Sequence, residues 1–238
     1  MRYKRQIALP EIGINGQEKI ACARVLCVGA GGLGSPALLY LAAAGIGHIG
    51  IIEFDRVDES NLQRQVLFTT DGVGQPKAVQ AKERLNALNP EIEITIYEDE
   101  LNAENAADLF QTYDIILDGT DNFETKFLIN DLGLKYNIPF TIAGIQGFEG
   151  QLISVDPHKT ACYRCIFHEI PKTDKSKPIP VISPICGVMG SLQANEILKG
   201  LLNIGQRTVN KVMLVSLFYG DFIRTPIKLN PRCICQQK

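Results

Sequence analysis

From Val25 to Ile52 the chain carries no Asp, Glu, Lys or Arg. A charge-free run of that length fits either a membrane span or buried parallel strands with a helix between them. Its opening decides the matter. Val25 to Val28 is a short apolar run, and Gly29-Ala30-Gly31-Gly32-Leu33-Gly34 and Ser35-Pro36 follow at once. So many glycines, with a proline, interrupt a spanning helix, whereas strand, tight loop, helix and strand accommodate them. The second strand is read from His48 to Phe54.

A glycine loop between a strand and a helix lets the backbone at Gly31 and Gly32 approach phosphates closely, with the positive helix end facing them. Gly29 and Gly34 complete the loop. Glu53 lies roughly 20 residues further on, where a carboxylate can accept ribose hydroxyls, and Asp55 follows it. A hydride-transferring oxidoreductase with a nicotinamide cofactor shares that much. It has no evident need for the polar and cationic cluster Ser60-Asn61-Leu62-Gln63-Arg64-Gln65 that comes next.

Lys77 to Leu88 reads as a helix ended by Pro90, Ile92 to Tyr97 as a strand, and Ala103 to Phe110 as a helix. Asp114 to Asp118 is a strand, Asn122 to Tyr136 a helix and Pro139 to Ala143 a further strand. This alternation predicts an α/β fold, Rossmann-like, with a mainly parallel sheet and helices on both faces. The later part differs. Gln151 to Val155, Val209 to Ser216 and Phe222 to Leu229 read as strands that extend the sheet antiparallel, and Gly187 to Leu202 as a long helix. Pro171 to Pro184, rich in Lys, Ser and Pro, reads as a mobile crossover loop. With 238 residues, 45% of them hydrophobic, one domain is expected, with a nucleotide-binding half over 1–150 and a second half over 151–238.

Twenty-four basic and 26 acidic residues leave a formal charge of −2, which argues against nucleic acid or an anionic membrane as the main partner. Met1 to Arg5 is basic, but Pro10 and Glu11 arrive before any apolar core, so no signal peptide is expected. Seven cysteines, four of them in the close pairs Cys162/Cys165 and Cys233/Cys235, point to a reducing cytoplasm and to metal rather than disulfides. Four thiolates suit tetrahedral zinc, a redox dithiol being the alternative. Cys22 and Cys27 read as structural. Cys186, just before the helix expected from Gly187, is a candidate nucleophile, with a packed core thiol as the competing reading.

Taken singly, Arg64 and Lys77 could be solvated charges, and Asp121-Asn122 could simply cap the helix that follows. Together the motifs resemble those of the MoeB/ThiF adenylyltransferases, relatives of the ubiquitin-activating enzymes. The resemblance runs through Arg2-Tyr3-Lys4-Arg5-Gln6, the glycine loop, Ser60 to Gln65, Gly74-Gln75-Pro76-Lys77, Asp118-Gly119-Thr120-Asp121-Asn122 and Gly187 to Ala194. It implies ATP-dependent adenylylation, with release of pyrophosphate, of the C-terminal carboxylate of a small ubiquitin-like sulfur carrier ending in Gly-Gly. Arg64 and Lys77 would hold the phosphates, Asp121 would hold Mg²⁺, and Arg5 would reach the nucleotide of the other subunit of a homodimer. Structural Zn²⁺ would sit on the four cysteines, although the second pair is one residue shorter than the family's. Covalent family members carry their cysteine at the position of Ser176. The chain's ending at Lys238 leads one to expect a separate sulfurtransferase or cysteine desulfurase as partner. Two rivals remain open here: a nicotinamide-dependent oxidoreductase, and a non-catalytic scaffold like the inactive half of heterodimeric activating enzymes.

Overall fold

Parallel strands buried on both faces need apolar residues at every position, and the charge-free run supplies them. In the computed structural model, which describes residues 2–171 and 179–236, it folds into β1 (Arg24–Val28), a helix and a second strand. Two helices precede it, α1 (Lys4–Ile7) and α2 (Gly13–Cys22). After β1 come α3 (Gly34–Ala44), β2 (His48–Ile52), α4 (Lys77–Leu88), β3 (Glu93–Tyr97), α5 (Ala106–Thr112) and β4 (Ile115–Asp118). The later elements are α6 (Phe123–Tyr136), β5 (Phe140–Gln146), β6 (Glu149–Val155), α7 (Tyr163–Ile166), α8 (Ser183–Leu202), β7 (Lys211–Ser216) and β8 (Asp221–Pro226).

The strands form one sheet in the order β3-β2-β1-β4-β5-β6-β7-β8. Pairing is parallel from β3 to β5 and antiparallel from β5 to β8. Alternate residues of β1 face opposite ways. Val25 and Cys27 pack with Leu38 and Leu41 of α3, Leu85 of α4 and Ile197 of α8. Leu26 and Val28 pack with Phe110 of α5, Phe127 of α6 and Tyr163 of α7. All parallel strands therefore point their carboxyl ends to one edge, where their loops gather.

Several boundaries differ from the sequence reading. The long helix begins at Ser183, not Gly187, so Pro184 and Cys186 lie in its first turn; proline is tolerated there because the first N–H groups lack intrahelical partners. The helix read from Ala103 starts at Ala106, after side-chain bonds from Asn102 and Asn105 hold residues 100–105 as a turn. The last strand stops at Pro226, which cannot donate to a ladder. Cys22 is exposed at the end of α2 rather than packed. Of the expected mobile crossover loop, residues 172–178, Ser176 among them, fall outside the described residues, whereas Pro180 and Ile182 are hydrogen-bonded to Gly147 and Ser183-Pro184 belong to α8. Among the described residues no helix is long and apolar enough to cross a membrane.

Candidate nucleotide and metal sites

The glycine loop leaves β1 through Gly29, whose φ of +87° lies in the left-handed region that favours glycine. The loop after β4 crosses it: Gly119 N donates to Val28 O at 2.8 Å, and a Cβ on Gly119 would stand 2.3 Å from Gly29 O. Only two glycines permit that approach, and it brings the Asp118–Asn122 loop against the phosphate-type loop.

Glu53 is nearly buried and uses both carboxylate oxygens on backbone. Oε2 accepts the N–H of Ala30 at 2.9 Å, and Oε1 accepts that of Asp55 at 2.9 Å. A carboxylate has about four lone-pair directions, so acceptor capacity for a ribose hydroxyl remains. Glu53 is thus also a splint between the glycine loop and the segment after β2.

The cationic cluster folds as a short turn begun by Asp58, whose Oδ1 accepts from Ser60 N at 2.8 Å and Ser60 Oγ at 2.5 Å. Those bonds hold the Asp58 carboxyl below the usual carboxylate range. Arg64 N bonds to Asn61 O, Arg64 Nη1 donates to Ser60 O at 3.1 Å, and the Arg64 stem runs beside the glycine loop, Cδ lying 3.6 Å from where a Gly32 Cβ would be. Leu62 packs on the core. Ser183 Oγ donates to Gln63 O and, at 2.9 Å, to Gln63 Oε1, tying this turn to the start of α8. Gln65 is 5% exposed, stands beside Gly31, and its Oε1 has no partner among the described residues. A buried amide oxygen left unpaired next to a glycine cradle is what a polar ligand would satisfy. Lys77, the first residue of α4, is buried and pairs with Asp55 Oδ2 at 3.0 Å.

Asn122 caps α6, its Oδ1 accepting from Thr125 N at 2.8 Å. Asp121, beside it, is exposed and makes no hydrogen bond or ion pair with any described residue. The donor set fits Mg²⁺, which takes one or two carboxylates and completes its shell from phosphate and water. Below the loop lies a pair that sequence reading missed: Lys126 Nζ donates to Asp118 Oδ2 at 2.6 Å, both side chains being nearly inaccessible. A lysine among the buried positions of α6 was the available signal.

Arg5 does not join this cluster within its own chain. It is exposed on α1, which Tyr3 anchors against Gly45 and Asn89. Gly45 ends α3, whose other end meets the glycine loop, so Arg5 belongs to the opposite end of the sheet.

The structure gathers the four expected metal ligands. The Sγ atoms of Cys162, Cys165, Cys233 and Cys235 all lie within 4.8 Å of one another, with Cys162–Cys233 at 3.5 Å and Cys165–Cys235 at 3.6 Å. Tetrahedral zinc with bonds near 2.3 Å wants about 3.8 Å between sulfurs. The shortened second pair therefore completes the set, through a turn at Ile234–Gln236. Burial pushes the Cys162 thiol far up and Cys233 up to about 11. Burial opposes the Cys165 thiolate too, yet hydrogen bonds from the backbone of Asn230 and Cys162 carry that thiol below its ordinary value. The four thiols could hold zinc.

Cys186 is enclosed, its Sγ 3.2 Å from the position of a Gly32 Cβ. Burial raises its pKa, against the pull of the nearby Arg64 guanidinium. Such a thiol packs the glycine loop against α8 and is poorly placed to be a thiolate nucleophile.

The chain is similar to known proteins over most of its length. A model of the ThiF family matches residues 3–236. The "Sulfur carrier protein adenylyltransferase" of Thermus thermophilus is 42% identical over 244 residues, covering 98% of this chain and 89% of its own. The "Sulfur carrier protein ThiS adenylyltransferase" of Escherichia coli is 42% identical over 206 residues, covering 86% of this chain and 82% of its own. The chain spans 60% of the "Probable adenylyltransferase/sulfurtransferase MoeZ" of Mycobacterium tuberculosis, at 39% identity. Among solved structures, E. coli MccB with ATP superposes with a TM-score of 0.87 at 25% identity, over 100% of this chain and 75% of that one. Glycine loop, arginine turn, buried lysine and exposed aspartate stand together on a fold and a sequence that both match, and the chain belongs to the ThiF family.

Proposed function

We propose that this chain adenylylates the C-terminal glycine carboxylate of a small ubiquitin-like sulfur carrier, for sulfur transfer in cofactor biosynthesis in the cytoplasm. The observation that carries the reading is the convergence of Arg64, Gln65, Asp121 and the Glu53-braced glycine loop at the carboxyl edge of the sheet, with Lys77 held by Asp55 beside them. In this reaction a carboxylate oxygen forms a bond to the α-phosphorus of ATP while the bond to the β-phosphate oxygen breaks, and pyrophosphate leaves with the electron pair. No proton moves at the nucleophile, because the carboxylate is already ionised at neutral pH. The site's work is therefore positioning and charge compensation.

Arg64 presents a planar fork to phosphate oxygens, and Lys77 a compact charge that Asp55 aims. Asn61 and the orphaned Gln65 amide orient oxygens without adding charge. Asp121 would hold Mg²⁺, whose chemistry there would be neutralisation of the departing pyrophosphate. The four cysteines would hold zinc, which would tie the C-terminal segment to α7.

Two surfaces support the partners. An apolar groove of about 870 Å3, lined by Pro36, Leu39, Tyr40, Val66, Val188 and Leu192 between α3 and α8, suits a second copy of the chain and hence a homodimer. Arg5 would then complete the partner's site. Phe148, Phe218, Tyr219 and Phe222 stand exposed near the β7–β8 edge and suit the apolar sheet of a carrier, whose tail would run past Gly144 to the glycine loop. A sulfurtransferase or cysteine desulfurase then sulfurates the adenylate.

The test is ATP–pyrophosphate exchange with candidate carriers ending in Gly-Gly. Carrier-dependent exchange is expected; its absence with every carrier, while ATP binds, would sink the reading. Binding of NADH with its protection from oxidation would instead favour the oxidoreductase.

A further inference from the structure

We infer that Lys126 is a positioning residue for the Asp121 loop, acting through the buried carboxylate of Asp118 and the carbonyl that precedes Asp121. The inference rests on the adenylylation reading. Its ground is the full use of one ammonium group. Nζ donates to Asp118 Oδ2 at 2.6 Å, to Thr120 O at 2.7 Å and to Ala143 O at 2.7 Å. A lysine has three N–H donors, and all three are spent inside the protein.

The acceptors are not an arbitrary set. Asp118 ends β4, Ala143 lies in β5, and Thr120 is the residue before Asp121. Lys126 lies in the first turn of α6, which Asn122 caps. One cation thus joins the end of β4, the middle of β5, the loop between β4 and α6, and the helix that the loop begins. The other groups complete the lock. Asp118 Oδ1 accepts Thr120 N at 3.1 Å and Thr120 Oγ1 at 2.6 Å, and Gln193 Nε2 of α8 donates to Asp118 O at 2.8 Å.

Asp121 itself has no partner among the described residues, so the backbone beneath it sets its place. Without Lys126, Thr120 O loses its donor and the Asp118 carboxylate is buried beside no cation. The loop would then shift or open toward water. A metal site with a single protein carboxylate is sensitive to such a shift, since its remaining ligands come from phosphates held elsewhere, by Arg64 and Lys77.

The experiment compares Lys126→Met, Lys126→Arg and the double variant Lys126→Met/Asp118→Asn, all in the full chain. Amide hydrogen exchange over Gly119–Asn122 is followed without nucleotide, and Mn²⁺ binding in the presence of ATP is followed by paramagnetic resonance. Lys126→Met should speed exchange in that loop, and weaken Mn²⁺ binding and raise the Mg²⁺ needed for half-maximal pyrophosphate exchange by about tenfold or more, with the KM for ATP far less changed. Lys126→Arg should recover most of the metal affinity. Unchanged loop exchange and Mn²⁺ affinity in Lys126→Met would overturn the inference, as would a proportionate loss in every parameter, which marks a merely structural role. If Lys126→Met fails to fold, the double variant, which removes both buried charges, carries the same comparison. Absent pyrophosphate exchange in the wild type would refute the adenylylation reading alone, because the loop's hydrogen exchange is read without turnover.

Discussion

Glu53 and Ala30, on separate strand–helix units, are joined by a 2.9 Å hydrogen bond from the Ala30 amide to the Glu53 carboxylate, whose other oxygen takes the amide of Asp55. An acceptor of two amides cannot be replaced by a carboxamide without turning an N–H toward an N–H. Glu53→Gln should therefore cost about 1–3 kcal/mol in urea unfolding, the penalty of an unsatisfied buried donor. ATP affinity measured by calorimetry should fall with it, because the same splint shapes the phosphate cradle. Wild-type stability together with wild-type affinity would show that the splint is dispensable.

Arg5 lies at the far end of its own sheet from the glycine loop, whereas Asp121 lies beside that loop. If each site draws Arg5 from the other subunit, Arg5→Ala and Asp121→Ala are each inactive alone, and mixing them restores activity. Random pairing makes about half of the dimers hybrids, each with one intact site, so about a quarter of wild-type pyrophosphate exchange should return. No recovery after subunit exchange, verified by mass spectrometry of tagged chains, would place Arg5 outside the site.

The first βαβ unit could be read because its apolar run and its glycines both follow from burial and backbone approach, which are local requirements. α4 was bounded correctly because Ala78, Ala81 and Leu85 keep helical spacing. α1 and α2 went unseen because the α2 stretch carries Gly13 and Gly16 and little apolar periodicity; it is held by contacts distant in sequence, such as Gly16 against Leu202. The same division runs through the site. Arg64, Lys77 and Asp121 belong to short motifs whose chemistry can be read in place. The Lys126–Asp118 pair and the dual use of Glu53 depend on which loops the sheet brings together, and no spacing along the chain reports that.

Cys22 and Cys186 should differ sharply toward iodoacetamide. Cys22 is exposed, while Cys186 is buried and its pKa is raised, so its thiolate is scarcer at any pH below that pKa. Peptide mass spectrometry of the native protein at pH 8 should find Cys22 alkylated and Cys186 intact. Raising the pH should speed labelling of Cys186 by up to tenfold per unit, about the slope of thiolate formation, wherever the thiol is reached. Rapid labelling of Cys186 at pH 8 would revive it as a nucleophile.

If the four cysteine sulfurs hold zinc, the stability of the C-terminal segment depends on that metal. Zinc requires thiolates, and Cys162 and Cys233 are held protonated by burial in the metal-free state. Binding must therefore release protons, and lowering the pH must favour the apo form. Purified protein should contain one zinc per chain by elemental analysis, and a strong chelator should lower Tm, more readily at pH 6 than at pH 8. Cys235→Ser should loosen the tail and weaken zinc binding in the same way as Cys162→Ser, because both sulfurs are buried in one cluster. If Cys235→Ser keeps full zinc occupancy and the wild-type Tm, Cys235 is not a ligand, and the fourth position belongs to another group.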